Sequence, residues 1–187
     1  MIERIRELAA EMKPAMIDLA QRLIRTPSLS GQEKDVADLI LAELEKLGYD
    51  EVFRDPWGSV CGIIHGTEPG PAIMYNGHMD HVDIGDPSEW HGYDPYGGVI
   101  DIDEMYNEAG DALEKTEVIH GRAAADTKSG IACQISSQVK ARIGANILAM
   151  LSRIRYRAVG ARRRFTGPGK TMTNWATLTI SVLCITE

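Results

Sequence analysis

Cysteines and long apolar runs are scarce in this sequence. Its 187 residues include only three cysteines, Cys61, Cys133 and Cys184, and no two of them form a Cys-x-x-Cys pair. Such wide spacing indicates buried or free thiols in a reducing compartment and argues against a disulfide framework. No apolar run is long enough to span a bilayer, and charged residues interrupt the start of the chain. We therefore expect a cytoplasmic protein with no membrane segment.

Acidic residues are almost absent from the last part of the chain. Residues 136–187 contain nine basic residues and one acid, Glu187, which gives this segment a net charge of +8. Residues 1–135 carry −15, and the whole chain carries −7. This abrupt change predicts two regions, an acidic one over residues 1–135 and an atypical basic tail over residues 136–187. The tail is expected to be disordered or translated in the wrong frame.

Other interpretations of the tail stay open. Shifting a reverse translation of residues 170–176 by two bases permits an acidic segment ending in Leu-Gly, and the nucleotide sequence would decide whether the tail is genuine. The arginines could form a nucleic-acid surface, but only Tyr156 and Phe165 lie among them, which gives base stacking little support. A phosphate-binding loop is disfavoured, because Arg164 occupies the position of the first glycine in Gly-x-x-x-x-Gly-Lys-Thr.

The start of the chain predicts two amphipathic helices. Apolar residues at three- and four-residue steps predict a helix over residues 2–24, which Pro14 should kink or divide. Ser30 and Glu33 have the spacing of a capping box for a second helix, and Gly48 should end it. The apolar stripe of this second helix consists of Val36, Ile40, Leu41, Leu44 and Leu47.

Strands and a third helix follow along the chain. Short runs predict strands over residues 51–54, 59–65 and 71–75, the last of them buried, and a shorter strand over residues 99–102. A helical pattern continues after Lys128 through Ile135. This order predicts an α/β fold, a mixed sheet with packed helices. Ligands of such folds gather at the carboxyl ends of strands.

His78 and Asp80 follow the predicted strand 71–75 and lie two residues apart. In an extended chain this spacing places both side chains on one face. An imidazole binds a borderline-soft cation, and a neighbouring carboxylate either holds the tautomer of the ring or ligates the metal itself. The spacing therefore allows a metal site, and the alternative is a solvated turn after a strand.

Asp126 is isolated among small residues just before the third helical pattern. Residues 77–82 read Gly-His-Met-Asp-His-Val, and residues 121–129 read Gly-Arg-Ala-Ala-Ala-Asp-Thr-Lys-Ser. Together they resemble the dinuclear zinc hydrolases typified by acetylornithine deacetylase, succinyl-diaminopimelate desuccinylase, aminoacylase and carboxypeptidase G. The family pattern has glycines at the positions of Ala123 and Ser129. The resemblance covers residues 1–135, includes residues 86–90 and 93–98, and is greatest to a hydrolase linked to selenium metabolism.

The resemblance implies the incomplete catalytic domain of a zinc-exopeptidase-like fold. Carried over by position, His78 ligates one metal and Asp126 bridges two zinc ions, for which cobalt can substitute. Asp80 enters the catalytic machinery through a hydrogen bond to the His78 ring. Arg122 and Lys128 would position the Asp126 loop. The family acts on small N-acyl amino acids or peptide-like substrates and forms homodimers through an inserted domain that this chain lacks.

Several elements of the family site have no counterpart in the sequence. The general-base glutamate and an adjacent ligand glutamate belong beyond residue 135, where Glu187 is the only acid, and the last histidine is His120. We therefore expect a metal-dependent amide or peptide hydrolase, truncated and inactive as written. The alternative is a non-enzymatic protein whose basic tail binds nucleic acid or an acidic partner, although nucleic acid is the less favoured of the two.

Other polar residues carry weaker functional interpretations. His65 is interpreted as a surface or core histidine, and His81 and His91 rank below His78 as ligands. The acids of residues 101–117 lack the spacing of a calcium loop, which favours a solvated acidic surface.

Overall fold

A computed structural model describes residues 2–65, 73–106, 110, 112–141 and 179–185. Three α-helices and six strands occur in these ranges, and the fold is mixed α/β. The helices are α1 (Ile2–Arg25), α2 (Lys34–Lys46) and α3 (Ser129–Ala141). The strands are β1 (Glu51–Arg54), β2 (Val60–His65), β3 (Ile73–His78), β4 (Val99–Tyr106), β5 (Leu113–His120) and β6 (Thr179–Ile185).

Helix α1 is continuous through Pro14, so the expected division into two helices is wrong. Pro14 is exposed, whereas Met12 and Met16 on either side of it are buried against Cys133. The apolar face of α1 is thus buried from Leu8 to Ile24, and this burial outweighs the one intrahelical hydrogen bond that proline cannot donate.

Helix α2 ends as predicted but begins differently. The amide of Gly48 donates to Glu45 O, the amide of Tyr49 donates to Leu44 O, and Gly48 has a φ of 74°. This is a Schellman motif, and it confirms the predicted stop. The capping-box prediction is wrong, because the N-cap is Glu33 with no side-chain cap, and the Ser30 hydroxyl instead donates to Asp80.

The main sheet has the strand order β1-β2-β6-β3. Strand β1 pairs antiparallel with β2, β2 pairs parallel with β6, and β6 pairs antiparallel with β3. Strands β1 and β2 confirm the predicted strands 51–54 and 59–65. Strand β3 ends at His78, but Met74 is 63% exposed, so the expectation of a fully buried strand is wrong.

Strand β6 belongs to the segment that composition marks as the basic tail. Local sequence patterns do not predict its pairing with β2 and β3, which lie far away in sequence. The division of the chain at residue 136 stays a prediction, since residues 142–178 fall outside the ranges described. The wrong-frame interpretation and the rejected phosphate-binding loop concern that same range.

Strands β4 and β5 form a separate two-stranded antiparallel hairpin, in register from Val99↔His120 to Tyr106↔Leu113. The sequence predicted only residues 99–102 of this hairpin. Most of β4 and the first half of β5 are exposed, whereas Val118, Ile119 and His120 are buried. The buried end of β5 leads directly into the segment that carries Asp126.

The core lies between the main sheet and the three helices. Its members include Leu19, Leu23, Ile24, Val36, Ile40, Leu44, Tyr49, Val60, Ile64, Met79, Ile119, Ile131 and Ile135. Met79 lies between His78 and Asp80 and is fully buried, which anchors the chain at the end of β3. No helix in the described ranges combines the length and the apolar character needed to cross a membrane.

Candidate metal-binding site

The structure brings His78 and Asp126 together. His78 is the last residue of β3, and its Nε2 lies 2.8 Å from Asp126 Oδ1, across 48 positions of sequence. The other ring nitrogen, Nδ1, lies 3.2 Å from both the backbone oxygen and Oδ1 of Asp80. The imidazole is therefore held between two aspartates, as the sequence motifs predicted.

Two opposing effects act on the pKa of His78. Partial burial is the largest single effect and lowers this pKa. The hydrogen bonds to Asp126 and to the Asp80 carbonyl, together with both negative charges, raise it by more than burial lowers it, so the net shift is upward. Since both ring nitrogens face oxygens that only accept, the protonated imidazolium is the form that this geometry favours. A metal at Nε2 would have to displace a proton.

Asp126 lies in a short π-helical turn, Ala124–Lys128, between β5 and α3. Asp126 and Thr127 have non-helical backbone angles, and the peptide bond between them is cis. The Asp126 side chain is 84% exposed. The carboxylate thus stands out from the turn, where both His78 and solvent reach it.

The two positions where the family pattern has glycine behave differently. Ala123 has φ 65° and ψ 5°, the left-handed conformation that favours glycine. Ser129 has φ −71° and ψ −33°, an ordinary helical conformation that any residue adopts. The buried Ser129 hydroxyl has no hydrogen-bond partner among the described residues. Only the replacement at Ala123 therefore bears on backbone conformation.

Lys128 ties the Asp126 turn to the end of helix α1. Its side chain is fully buried, and Nζ donates to Leu23 O at 2.9 Å and to Thr26 O at 2.6 Å. Burial lowers the pKa of Lys128 to about 7. The amino group thus ties the turn to the carbonyls at the end of α1, and the positioning role of Lys128 stays a prediction.

Arg122 anchors the start of the same segment. Its amide donates to Pro95 O, its Nη2 donates to Ile84 O at 2.7 Å, and its guanidinium lies 5.0 Å from the ring centroid of Trp90. Trp90 Nε1 also donates to Ile84 O. Arg122 thus connects the Asp126 segment to the loop that follows His81.

The loop of residues 26–31 contacts the segment that follows His78. The family resemblance implies a loop near the active site here, although the residues of the loop alone do not. The buried Ser28 hydroxyl donates to Met79 O at 2.7 Å, and the Ser28 amide donates to His81 Nε2 at 2.8 Å. The Ser30 hydroxyl donates to Asp80 Oδ2 at 2.6 Å. The sequence alone shows only turn formers here. No local pattern around Ser28 or Ser30 indicates a contact with residues about 50 positions away.

The remaining histidines lie in other surroundings. His81 is buried and accepts a hydrogen bond from the Ser28 amide, so its Nε2 faces the loop. His65 is partly exposed and lies 3.1 Å from Glu51, and His91 is exposed in a left-handed turn. His120 is buried with its ring stacked on Tyr93 at 3.9 Å. The structure therefore places only His78 beside both aspartates of the motifs.

The donor set fits a divalent cation in part. An imidazole nitrogen and a carboxylate are both ligands that zinc prefers, and Asp80 holds the His78 ring from behind, as carboxylates do in zinc sites. A catalytic zinc takes three protein ligands. Within the ranges described, no three histidine, cysteine, aspartate or glutamate side chains form a group that could hold a metal ion.

The sequence is similar to individual known proteins over about two thirds of its length. No protein-family model matches the sequence. Over 132 residues, 70% of this chain, it is 33% identical to the uncharacterized protein YgeY of Escherichia coli, in strains K12 and O157:H7. Over 126 residues, 64% of this chain, it is 33% identical to the succinyl-diaminopimelate desuccinylase of Methylobacterium nodulans. The chain spans about 28% of the length of each of these relatives.

The similarity to the desuccinylase supports a relationship to the peptidase and deacylase family at a coarse level.

Proposed function

We propose that this chain supplies part of the site of a metal-dependent hydrolase that cleaves an amide or peptide bond, as a deacylase or a dipeptidase. The observation that carries the proposal is the 2.8 Å approach of His78 Nε2 to Asp126 Oδ1. These side chains come from two separate motifs, and each belongs to a ligand type that zinc prefers. The corresponding fold would be the incomplete catalytic domain of a zinc exopeptidase.

In this proposal His78 and Asp126 hold the metal, and Asp80 fixes the His78 ring. A bound zinc supplies a water of lowered pKa and polarises the substrate carbonyl. The carboxylate of Asp126, being exposed, is free to bridge a second cation. A small N-acyl amino acid or a peptide-like molecule is the proposed class of substrate.

We expect the 187-residue chain to bind metal weakly and to hydrolyse little or no substrate. The described residues offer two ligands where a catalytic zinc takes three. Residues 136–187 contain no acid except Glu187, so the general-base and ligand glutamates of the resembling family have no counterpart there.

Zinc titration of the full chain by calorimetry tests the proposal. His78→Ala and Asp126→Asn should each weaken zinc binding by about tenfold or more, because each removes one of two ligands. His91→Ala is the matched control, since His91 is an exposed histidine outside the site and should leave the affinity unchanged. Equal affinity in the wild-type and His78→Ala chains would contradict the proposal.

The second candidate function is binding of nucleic acid or an acidic partner through the basic tail. It predicts DNA binding that weakens steeply with salt and is lost when residues 136–187 are deleted. Such binding together with zinc affinity that does not depend on His78 would favour this function over the hydrolase.

A further inference from the structure

The loop of residues 26–31 contacts both segments that carry the candidate ligands. Lys128, two residues after Asp126, donates to the carbonyl of Thr26 at the start of the loop. Ser28 and Ser30 reach residues 79–81, directly after His78. A single short loop therefore links the His78 side of the site to the Asp126 side.

The backbone of this loop is fixed at several points. The Ser28 amide and carbonyl both hydrogen-bond to His81, and Leu29 forms an isolated parallel bridge with the same residue. The buried Glu33 carboxylate accepts from the Gly31 amide at 2.8 Å, and the Gln32 amide donates to Leu29 O. These bonds hold Ser30 in place on both sides of its own position.

The two oxygens of Asp80 have different partners. Oδ1 lies 3.2 Å from His78 Nδ1, and Oδ2 accepts from the Ser30 hydroxyl at 2.6 Å. Because the terminal torsion of an aspartate is broad, one contact alone leaves the carboxylate plane free to turn. The short bond from Ser30 removes that freedom and keeps Oδ1 directed at the imidazole.

We propose that Ser30 is a positioning residue for the candidate metal site, acting through Asp80 to orient His78. The inference rests on the proposed function. The order of contacts is Ser30 hydroxyl to Asp80 carboxylate to His78 Nδ1, which leaves His78 Nε2 directed at Asp126. Partners that orient a ligating histidine change metal affinity by about 10- to 100-fold when removed. Ser30 lies one contact farther from the metal, so its effect should be smaller.

The test is zinc affinity of the full chain, measured by calorimetry. Ser30→Ala should weaken zinc binding by about 3- to 10-fold, whereas Ser30→Thr keeps a hydroxyl and should restore most of it. Ser88→Ala is the matched control, because the Ser88 hydroxyl also donates to an aspartate, Asp86, at 2.8 Å but lies outside the site. Its zinc affinity should equal that of the wild type.

A double-mutant cycle separates positioning from a merely local effect. If Ser30 acts through Asp80, the Asp80→Ala/Ser30→Ala chain should bind zinc no more weakly than Asp80→Ala alone. A double variant whose loss of zinc affinity equals the sum of the losses in Ser30→Ala and Asp80→Ala would overturn the proposal. The urea midpoint of the metal-free Ser30→Ala chain should match that of Ser88→Ala, because Ser30 is exposed.

The nitrogen chemical shifts of the His78 ring give a second readout that needs no metal. They should change in Ser30→Ala, while those of His65 stay fixed. If His78→Ala weakens zinc binding but Ser30→Ala changes neither the His78 chemical shifts nor the zinc affinity, the role of Ser30 is overturned and the proposed function stands. Zinc affinity that is insensitive to His78→Ala would overturn the proposed function as well.

Discussion

Ile24 fills the space that a side chain at Gly121 would need. A Cβ built on Gly121 would overlap the γ2 methyl of Ile24 and would lie 3.4 Å from Pro95 O. The φ of Gly121 is outside the left-handed region, so close approach of the backbone to the last turn of α1 explains the glycine here. This contact sets how closely the end of β5 approaches α1, just before the segment that carries Asp126.

Gly121→Ala should therefore lower the free energy of unfolding by about 1–3 kcal/mol, the usual cost of overpacking a filled core. Urea unfolding monitored by circular dichroism measures the change. Ile24→Leu removes the γ2 methyl at nearly constant volume, so the double variant should recover part of the loss. A double variant whose loss equals the sum of the single losses would show that this clash is not the cause.

Ala123→Gly should raise the free energy of unfolding by up to about 1 kcal/mol. A left-handed conformation costs an L-residue roughly 1–2 kcal/mol, and the greater freedom of glycine in the unfolded chain offsets part of that gain. Ala132→Gly, at a buried position within α3, is the control and should lower stability by about 1 kcal/mol. Thermal and urea unfolding of the two variants should shift in opposite directions.

The buried His81 should make the protein less stable in acid. Its Nε2 accepts from the Ser28 amide and its Nδ1 lies 2.8 Å from Val82 O, which defines a neutral tautomer, and burial is the main cause of its lowered pKa. The unfolded chain thus binds this proton more readily, so the free energy of unfolding falls as pH drops through 6.5, the ordinary histidine value.

His81→Phe tests this pH dependence. The variant should lose about 1–3 kcal/mol at pH 7, because the Ser28 amide no longer has an acceptor, but its stability should change less between pH 7 and pH 5. Urea unfolding of both chains at pH 7 and pH 5 gives the change in the free energy of unfolding of each. Subtracting one change from the other removes the contribution of the titratable groups that both chains share. An identical pH dependence in the two chains would contradict the assignment of a neutral His81.

Lys128 should produce a pH dependence above neutrality. Its pKa is about 7 in the folded chain and 10.5 in a solvated lysine, so the unfolded chain binds more protons between these values and stability rises with pH. From pH 7 to pH 9 the wild type should gain roughly 2 kcal/mol relative to Lys128→Met. Guanidinium chloride unfolding at both pH values measures this gain, and parallel pH dependence in the two chains would argue against the lowered pKa of the buried Lys128.

The sequence was sufficient for features that depend on neighbouring residues. The stop of α2 at Gly48, the positions of β1 and β2, and the helix after Lys128 all follow from local patterns. The expectation that His78 and Asp126 share one site came from the family resemblance of the two motifs, and hydrophobic periodicity did not contribute to it. Local spacing failed at Ser30, whose hydroxyl donates to the distant Asp80 carboxylate and does not cap α2.

Only the tertiary structure decided which distant segments meet. The pairing of β6 between β2 and β3, the length of the β4–β5 hairpin and the placement of the loop of residues 26–31 against His81 depend on contacts far apart in sequence. The tautomer of His81 and the lowered pKa of Lys128 depend on burial by those contacts. A sequence pattern records which groups are present, but the energy of a buried polar group is set by the partner that the fold brings within hydrogen-bonding distance.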